Sequence, residues 1–389
     1  MMNELGRLQR EFVERMERRR ERKYFSIAHT VYTFYPNKLE KHNILRMTSA
    51  RSLKLMESQE MDECSSQEAF IQQCMLPLPS PFFSSPDFVC QFRRLCDSMC
   101  DILALESRVL RLQSPAYVFG DLHGSMDDLR LFSSTLWPLG IHLTPGIFLF
   151  LGNYVDYGAF SLELLSYLFV QKACYPEKVF LLRGNHEVKF VNGCTQGAPH
   201  RCLLSQLKER FPKGTALELW DQINTVFDHL PLAAVIDDCV FCAHGGIPCS
   251  VGRQDPVFLA DIDQIPCPFD PSLSANALNH QWIIQNVVAL LASTPVLNSE
   301  QNGEKRRTEQ MAFGKKEVER FMKANGLSFI IRSHESIQEG VSLRMDDTLL
   351  TINSHSMFQP DNSLCGCVLI DNNTITAISR PSIARGERR

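Results

Sequence analysis

Tyr117-Val118-Phe119-Gly120-Asp121-Leu122-His123-Gly124 is the stretch whose reading decides the fold. Its first three residues are aromatic and β-branched, and the run stops at a glycine, so it reads as a short buried strand. The same grammar recurs downstream. Residues 147–151 are apolar and run into Gly152-Asn153-Tyr154-Val155-Asp156-Tyr157-Gly158, and residues 179–182 run into Arg183-Gly184-Asn185-His186-Glu187. Helical patterns over 126–136 and 160–168 separate the three runs. Right-handed crossovers then make these strands parallel, with their C-terminal ends along one edge. The second half is richer in strands, at 233–236, 240–243, 329–331, 349–352 and 368–370. Two of them lead into His244-Gly245-Gly246 and Arg332-Ser333-His334-Glu335. Upstream, Leu95, Met99, Ile102, Leu103 and Leu110 fit one amphipathic helix.

The chain has 389 residues, 44% hydrophobic and 22% charged, enough for one large core or two domains. A net charge of -4 gives no reason to expect nucleic acid or an anionic membrane as a partner. No run approaches the roughly 20 apolar residues of a membrane span, and the N-terminus lacks a secretory pattern. The expectation is a cytoplasmic protein, with the nucleus as the alternative compartment. Fourteen scattered cysteines, some such as Cys239 and Cys242 in apolar strand-like runs, read as reduced thiols, and Cys365-Gly366-Cys367 is too close-spaced for a zinc site.

Residues 1–46 form a charged helical and aromatic extension. Leu5, Leu8, Phe12 and Met16 lie on one stripe of a segment with eight Lys or Arg and five Glu in its first 23 residues. This is either a solvated helix or one that docks a regulatory or scaffold protein or a membrane surface. Residues 47–89 are Ser- and Pro-rich and read as a linker or surface wrap. A globular domain follows over 90–380, and 381–389 are a basic tail.

The residue types delivered at the strand ends suit a metal site. Asp121 and His123 can grip one cation, and Asn185, His244 and His334 supply an amide oxygen and two imidazoles for a second. Mixed O and N donors favour Mn, Fe or Zn over Ca or Mg. Two such ions about 3.5–4 Å apart share a hydroxide, lower its pKa and hold a phosphoryl group for in-line attack.

These ordered strings resemble those of the phosphoprotein phosphatase (PPP) family of metal-dependent serine/threonine phosphatases, whose pattern reads GDxHG, GDxVDRG, RGNHE, HGG and a late RxH(E/Q). The similarity covers about residues 90–380 and includes Trp220 and the stretch 227–246. It implies an α/β, calcineurin-like metallophosphoesterase fold, a β-sandwich of mixed sheets flanked by helices, with a dinuclear site at its rim. It implies metal ligation by Asp121, His123, Asn153, Asn185, His244 and His334. His186 would be the general acid, oriented by Asp156, and Arg307 would grip phosphate on a phosphoprotein or phosphopeptide. A nucleotide-directed metallophosphoesterase shares the first motifs, but the 227–246 stretch and the late Ser333-His334-Glu335 lean towards protein substrates.

The pattern breaks in three places. Asn153 stands where the family has the aspartate that bridges both ions. An amide carries no formal charge, so one or both metal positions should bind weakly; errors in mere supporting residues cost about 10–100-fold. Tyr157 replaces an arginine, and a phenol cannot make a guanidinium's bidentate grip. Phe358 aligns with a family tyrosine near the site, while His355 lies close by as a substitute polar group or ligand. Two readings therefore stand: a phosphatase with impaired turnover, and a pseudophosphatase that serves as a scaffold or regulatory subunit.

Overall fold

In the computed structural model, the described residues are 69–193, 201–248, 256–270, 278–296, 312–356 and 364–381. Arg307, Phe358, the extension 1–46 and residues 382–389 of the basic tail lie outside them.

Strands β1 (Val109–Leu112), β2 (Ala116–Phe119), β3 (Ile147–Phe150), β4 (Val179–Leu181), β5 (Ala233–Ile236) and β6 (Val240–Ala243) arise from nearly unbroken apolar runs. So do β9 (Phe329–Arg332), β11 (Leu349–Ile352) and β12 (Leu364–Asp371). Such runs are what strands buried on both faces require. Strands β7 (Thr294–Pro295), β8 (Ala312–Phe313), β10 (Val341–Arg344) and β13 (Thr374–Pro381) complete the set. One sheet runs β13-β12-β2-β3-β4, a second runs β1-β5-β6-β9-β11-β10, and β7 pairs with β8. Strands β2, β3 and β4 are parallel, as the crossover argument required.

The two large sheets pack face to face. Val118, Leu149 and Val368 of one interdigitate with Ile236, Cys242, Ile331 and Leu350 of the other in a shared core. Helices cover the outer faces. On the five-stranded sheet lie α1 (Pro86–Ala104), α2 (Met126–Leu136), α3 (Ser161–Cys174), α5 (Leu203–Arg210) and α6 (Lys213–His229), around a core rich in phenylalanine. The short α4 (Lys189–Asn192) follows β4 and precedes α5. On the six-stranded sheet lie α7 (Leu259–Asp263), α8 (Leu278–Ala292) and α9 (Lys315–Asn325).

Helix α1 shows why these segments take this form. The Ser85 hydroxyl accepts the Phe88 N–H at 3.1 Å, Pro86 occupies the first turn, and Phe88, Phe92, Cys96, Met99 and Leu103 form one buried stripe. The helix ends at Ala104, and Leu110 belongs to β1 rather than to the helix. The wrap expected over 47–89 is not free chain at its C-terminal end. Phe70, Cys74, Phe83 and Phe88 are buried in the main core, so ordered packing begins ahead of residue 90. Aromatic side chains decide this, since each has more apolar area to bury than the nearby prolines cost.

Ten described cysteines are free, as expected, but Cys202 is disulfide-bonded. The expectation of uniformly reduced thiols fails there, because spacing alone does not show which cysteines fold together. Among the described residues, no helix is long and apolar enough to cross a membrane.

Candidate metallophosphoesterase site

Six strand ends from both sheets converge on one rim. Asp121 and His123 follow β2, Asn153 follows β3, Asn185 and His186 follow β4, His244 follows β6, His334 follows β9 and His355 follows β11. Sharp turns deliver them: His123, Asn153, Asp156, Tyr157 and His334 all have positive φ, between 43° and 71°. Such backbone strain in non-glycine residues persists only where surrounding structure holds it. Gly152, at φ 111°, allows the β3 turn to touch the next one, because a Cβ there would lie 2.4 Å from the Gly184 nitrogen.

Asp121 is the hub. Its Oδ1 accepts from the Ser333 hydroxyl and from the His334 N–H at 3.1 Å. Its Oδ2 lies 3.3 Å from His123 Nε2 and 3.0 Å from Asn153 Nδ2. Burial pushes the carboxyl up, but His244, His123 and Ser333 together outweigh that and hold it well below the ordinary range.

The Asn153 amide orientation is fixed by both of its ends. Oδ1 accepts the His186 backbone N–H at 3.0 Å, while Nδ2 donates to Asp121. Turning the amide over would set donor against donor and acceptor against carboxylate. Asn153, expected as a metal ligand, therefore offers the rim an N–H where a cation would need an oxygen lone pair. The turn itself is held by Glu187, fully buried, which accepts from the N–H groups of Asn153, Tyr154 and Gly184 at 2.7–2.9 Å. Burial pushes its pKa up to about 7 against those bonds. The sequence left Glu187 without a task; a carboxylate in the turn beyond a buried strand was the available signal.

Other positions fit metal ligation. His123 Nδ1 donates to the Val155 carbonyl at 2.9 Å, and His244 Nδ1 to the Leu151 carbonyl at 3.1 Å. Backbone carbonyls of this kind fix the ring and turn Nε2 towards the site. His244 Nε2 and His334 Nδ1 converge on Asn185 Oδ1, at 3.1 and 2.9 Å. Burial keeps both rings neutral: His244 titrates well below the usual imidazole range and His334 at about 4. His355 is likewise neutral, held to about 3 by burial and then by His123, with Asp121 opposing. Asp121, His123 and His355 form a buried group whose ligand atoms lie within 4.8 Å of one another.

His186 and Asp156 are paired as expected, His186 Nδ1 donating to Asp156 Oδ2 at 2.7 Å. The other carboxylate oxygen accepts the Leu203 N–H at 2.7 Å, so the first turn of α5 fixes the orienting group. Burial lowers the His186 pKa against the pull of Asp156. The Tyr157 ring lies 4.9 Å from His123 and 5.1 Å from His186, over the site where the sequence comparison called for a guanidinium. Buried Arg332 ties the β9 turn down, donating to the carbonyls of Gly245 and Ser293 and to Glu335.

A rim of this construction, with Asp, His and Asn delivered at strand ends of a two-sheet α/β sandwich, defines a metallophosphoesterase. The calcineurin-like phosphoesterase family model matches residues 114–338. The chain is 33% identical over 285 residues to the serine/threonine-protein phosphatase BSL2 of Arabidopsis thaliana, covering 71% of this chain and 26% of that one. It is 29% identical over 262 residues to the serine/threonine-protein phosphatase 6 catalytic subunit of Drosophila melanogaster, covering 67% and 77%. Among solved structures, a protein serine/threonine phosphatase from Saccharomyces cerevisiae, with similarity to human phosphatase PP5, overlays with a TM-score of 0.62 at 22% identity. That overlay covers 84% of this chain and 96% of the other, and it bears on the fold alone. The chain belongs to the calcineurin-like phosphoesterases and, among them, to the serine/threonine phosphoprotein phosphatases, a family that uses divalent metals. It spans about a quarter of the Arabidopsis relative's length.

Proposed function

We propose that this chain hydrolyses phosphoserine or phosphothreonine esters on protein substrates, at a rate reduced by Asn153 and Tyr157. The observation that carries the reading is the His186–Asp156 pair, hydrogen-bonded at 2.7 Å on the same rim as Asp121, His123, Asn185, His244 and His334. Asp156 holds the imidazole in one orientation, and His186 passes its proton to the serine or threonine oxygen as the P–O bond breaks. Asp121, His123, Asn185, His244 and His334 would hold the divalent ions, of Mn, Fe or Zn type. When bound, such ions supply hydroxide at neutral pH and neutralise the phosphoryl oxygens. Tyr157 meets His123 edge-on and His186 at a tilt, without an arginine's grip on phosphate.

A second reading is favoured by the Asn153–Asp121 hydrogen bond, in which an amide N–H takes the position of positive charge. On that reading the chain binds a phosphopeptide or partner without turning it over, with residues 1–46 as a docking segment for a regulatory protein. Phosphopeptide hydrolysis with added Mn, measured against His186→Ala, separates the two. The first expects a rate at least about 100-fold above the variant, the usual contribution of a positioned acid. A wild-type rate equal to the variant's selects the second.

A further inference from the structure

The ends of β2 and β11 lie in different sheets, yet they are stitched together. Asp121 forms a bridge with Asn353, and the Ser354 N–H donates to the Asp121 carbonyl at 3.1 Å. The Gly120 N–H donates to the Ser354 hydroxyl at 2.8 Å, which donates on to the Gly366 carbonyl at 2.6 Å. Gly120 permits this approach, since a Cβ there would meet the Ile352 carbonyl at 2.3 Å. Beyond it, the Ser356 N–H donates to Asp128 at 2.9 Å, and Asn353 Nδ2 donates to the His355 carbonyl at 2.7 Å. His355 is thus anchored on both sides, and its ring meets His123 edge-on with centroids 5.2 Å apart.

Asp121, His123 and His355 are 5%, 4% and 1% exposed. One donor atom from each lies within 4.8 Å of the other two, close enough for modest side-chain rotation to reach ligand bonds of about 2.0–2.2 Å. Asn153 cannot complete this set as it stands. Its oxygen is held by the His186 N–H, and its nitrogen already donates to Asp121. Recruiting that oxygen would break both bonds at once.

We propose that Asp121, His123 and His355 form a single-cation site, in which the His355 imidazole supplies the donor that Asn153 does not. One carboxylate with two imidazoles is the donor set that suits Zn(II), Fe(II) or Co(II) and disfavours Mg(II) and Ca(II). Three protein ligands leave open positions for water or a phosphate oxygen. Asn185, His244 and His334 supply none of its three donors, and it does not depend on turnover, so binding alone tests it.

The full-length chain, stripped with a chelator, is titrated with Zn(II) and Co(II), following bound metal and the visible absorption of Co(II). One tight equivalent is expected, with little competition from Mg(II). His355→Gln should weaken that equivalent by on the order of 100-fold and alter the Co(II) spectrum, by analogy with the cost of disturbing even a supporting residue. His334→Gln should leave it in place. A second arm needs no substitution: in the Co(II)-loaded wild type, the paramagnetically shifted imidazole signals should include those of His123 and His355. Wild-type affinity and spectrum in His355→Gln would overturn the proposal. So would loss of the tight equivalent in His334→Gln alone, absence of tight binding in the wild type, or a shifted set that lacks His355. Failure of phosphopeptide hydrolysis would leave it untouched.

Discussion

Asn153→Asp converts the bond at the centre of the rim into a repulsion, and its size follows from the geometry. Nδ2 lies 3.0 Å from Asp121 Oδ2, with both residues buried. Two unit charges at that distance repel by about 5–6 kcal/mol at an effective dielectric near 20. The pair can escape by binding a proton, but holding a carboxyl of ordinary pKa protonated at about pH 7.5 costs roughly 5 kcal/mol, so the two routes agree. In chelator, the variant should therefore melt about 5–10 °C below wild type, taking ~1–2 °C per kcal/mol for a domain of this size. A divalent ion reverses the sign, because two carboxylates that repel each other clamp it together. At about 1,000 times its Kd, such an ion returns roughly 4 kcal/mol. The assay is differential scanning fluorimetry of both proteins in EDTA and in Mn(II), with metal counted after gel filtration. Equal melting temperatures in EDTA would refute the reasoning, since they would mean that no N–H faces the Asp121 carboxylate. A variant that gained neither metal nor Mn-dependent stability would refute it from the other side.

The remaining predictions concern neighbours of that bond. Tyr157→Arg should tighten inorganic phosphate binding by roughly 10- to 100-fold, the value of one charge-assisted bond at about 1.5–3 kcal/mol, read by competition against a phosphopeptide. No change would place the new guanidinium out of reach of the site. His355→Gln should also flatten the acid side of the stability profile. Burial, and then His123, hold the wild-type ring at about 3 against Asp121, well below an unfolded histidine. The wild type therefore has its His355 contribution in full above about pH 6.5 and loses about 1.4 kcal/mol per pH unit below it, or about 2 kcal/mol by pH 5. Urea unfolding of both proteins in chelator checks this, and parallel profiles would contradict it.

Much of the frame was legible because it was written in apolar runs ending at glycine. Residues 126–136, 233–236, 240–243 and 349–352 have the same limits in the structure as in the sequence reading. The parallel direction of β2, β3 and β4 followed from the crossover argument alone. Strand β13 was missed although Ile375 and Ala377 alternate inward, because Thr374, Thr376, Ser379 and Arg380 make the stretch look like a polar tail until β12 is set beside it. Strand β10 was missed because its residues are only half-buried, which leaves a weak pattern. At the site, residue types and order were readable but orientation was not. Nothing in the string Gly152-Asn153-Tyr154 says which end of the amide faces Asp121. That depends on the His186 N–H, contributed by the turn after β4, 33 residues away.

The Asn153 amide makes this rim coherent without an ion. With two carboxylates facing each other, a metal-free rim would be repulsive and would tighten only as cations arrived. Here Asp121 already meets the Ser333 hydroxyl, the His334 N–H, His123 Nε2 and Asn153 Nδ2, and the Asn153 backbone is fixed by Glu187. The His186–Asp156 pair is in turn tied to α5 through Leu203, and the Asn153 oxygen reaches it only at the His186 backbone N–H, which a carboxylate at 153 can accept as well. Metal binding and proton donation thus meet only at the His186 backbone N–H, and substitution of Asn153 by aspartate can alter the first while sparing the second. It follows that Asn153→Asp should change the metal concentration needed for half-maximal hydrolysis far more than it changes the pH dependence of the reaction. If both moved together, the Asn153–His186 bond would be carrying the change from one side of the rim to the other.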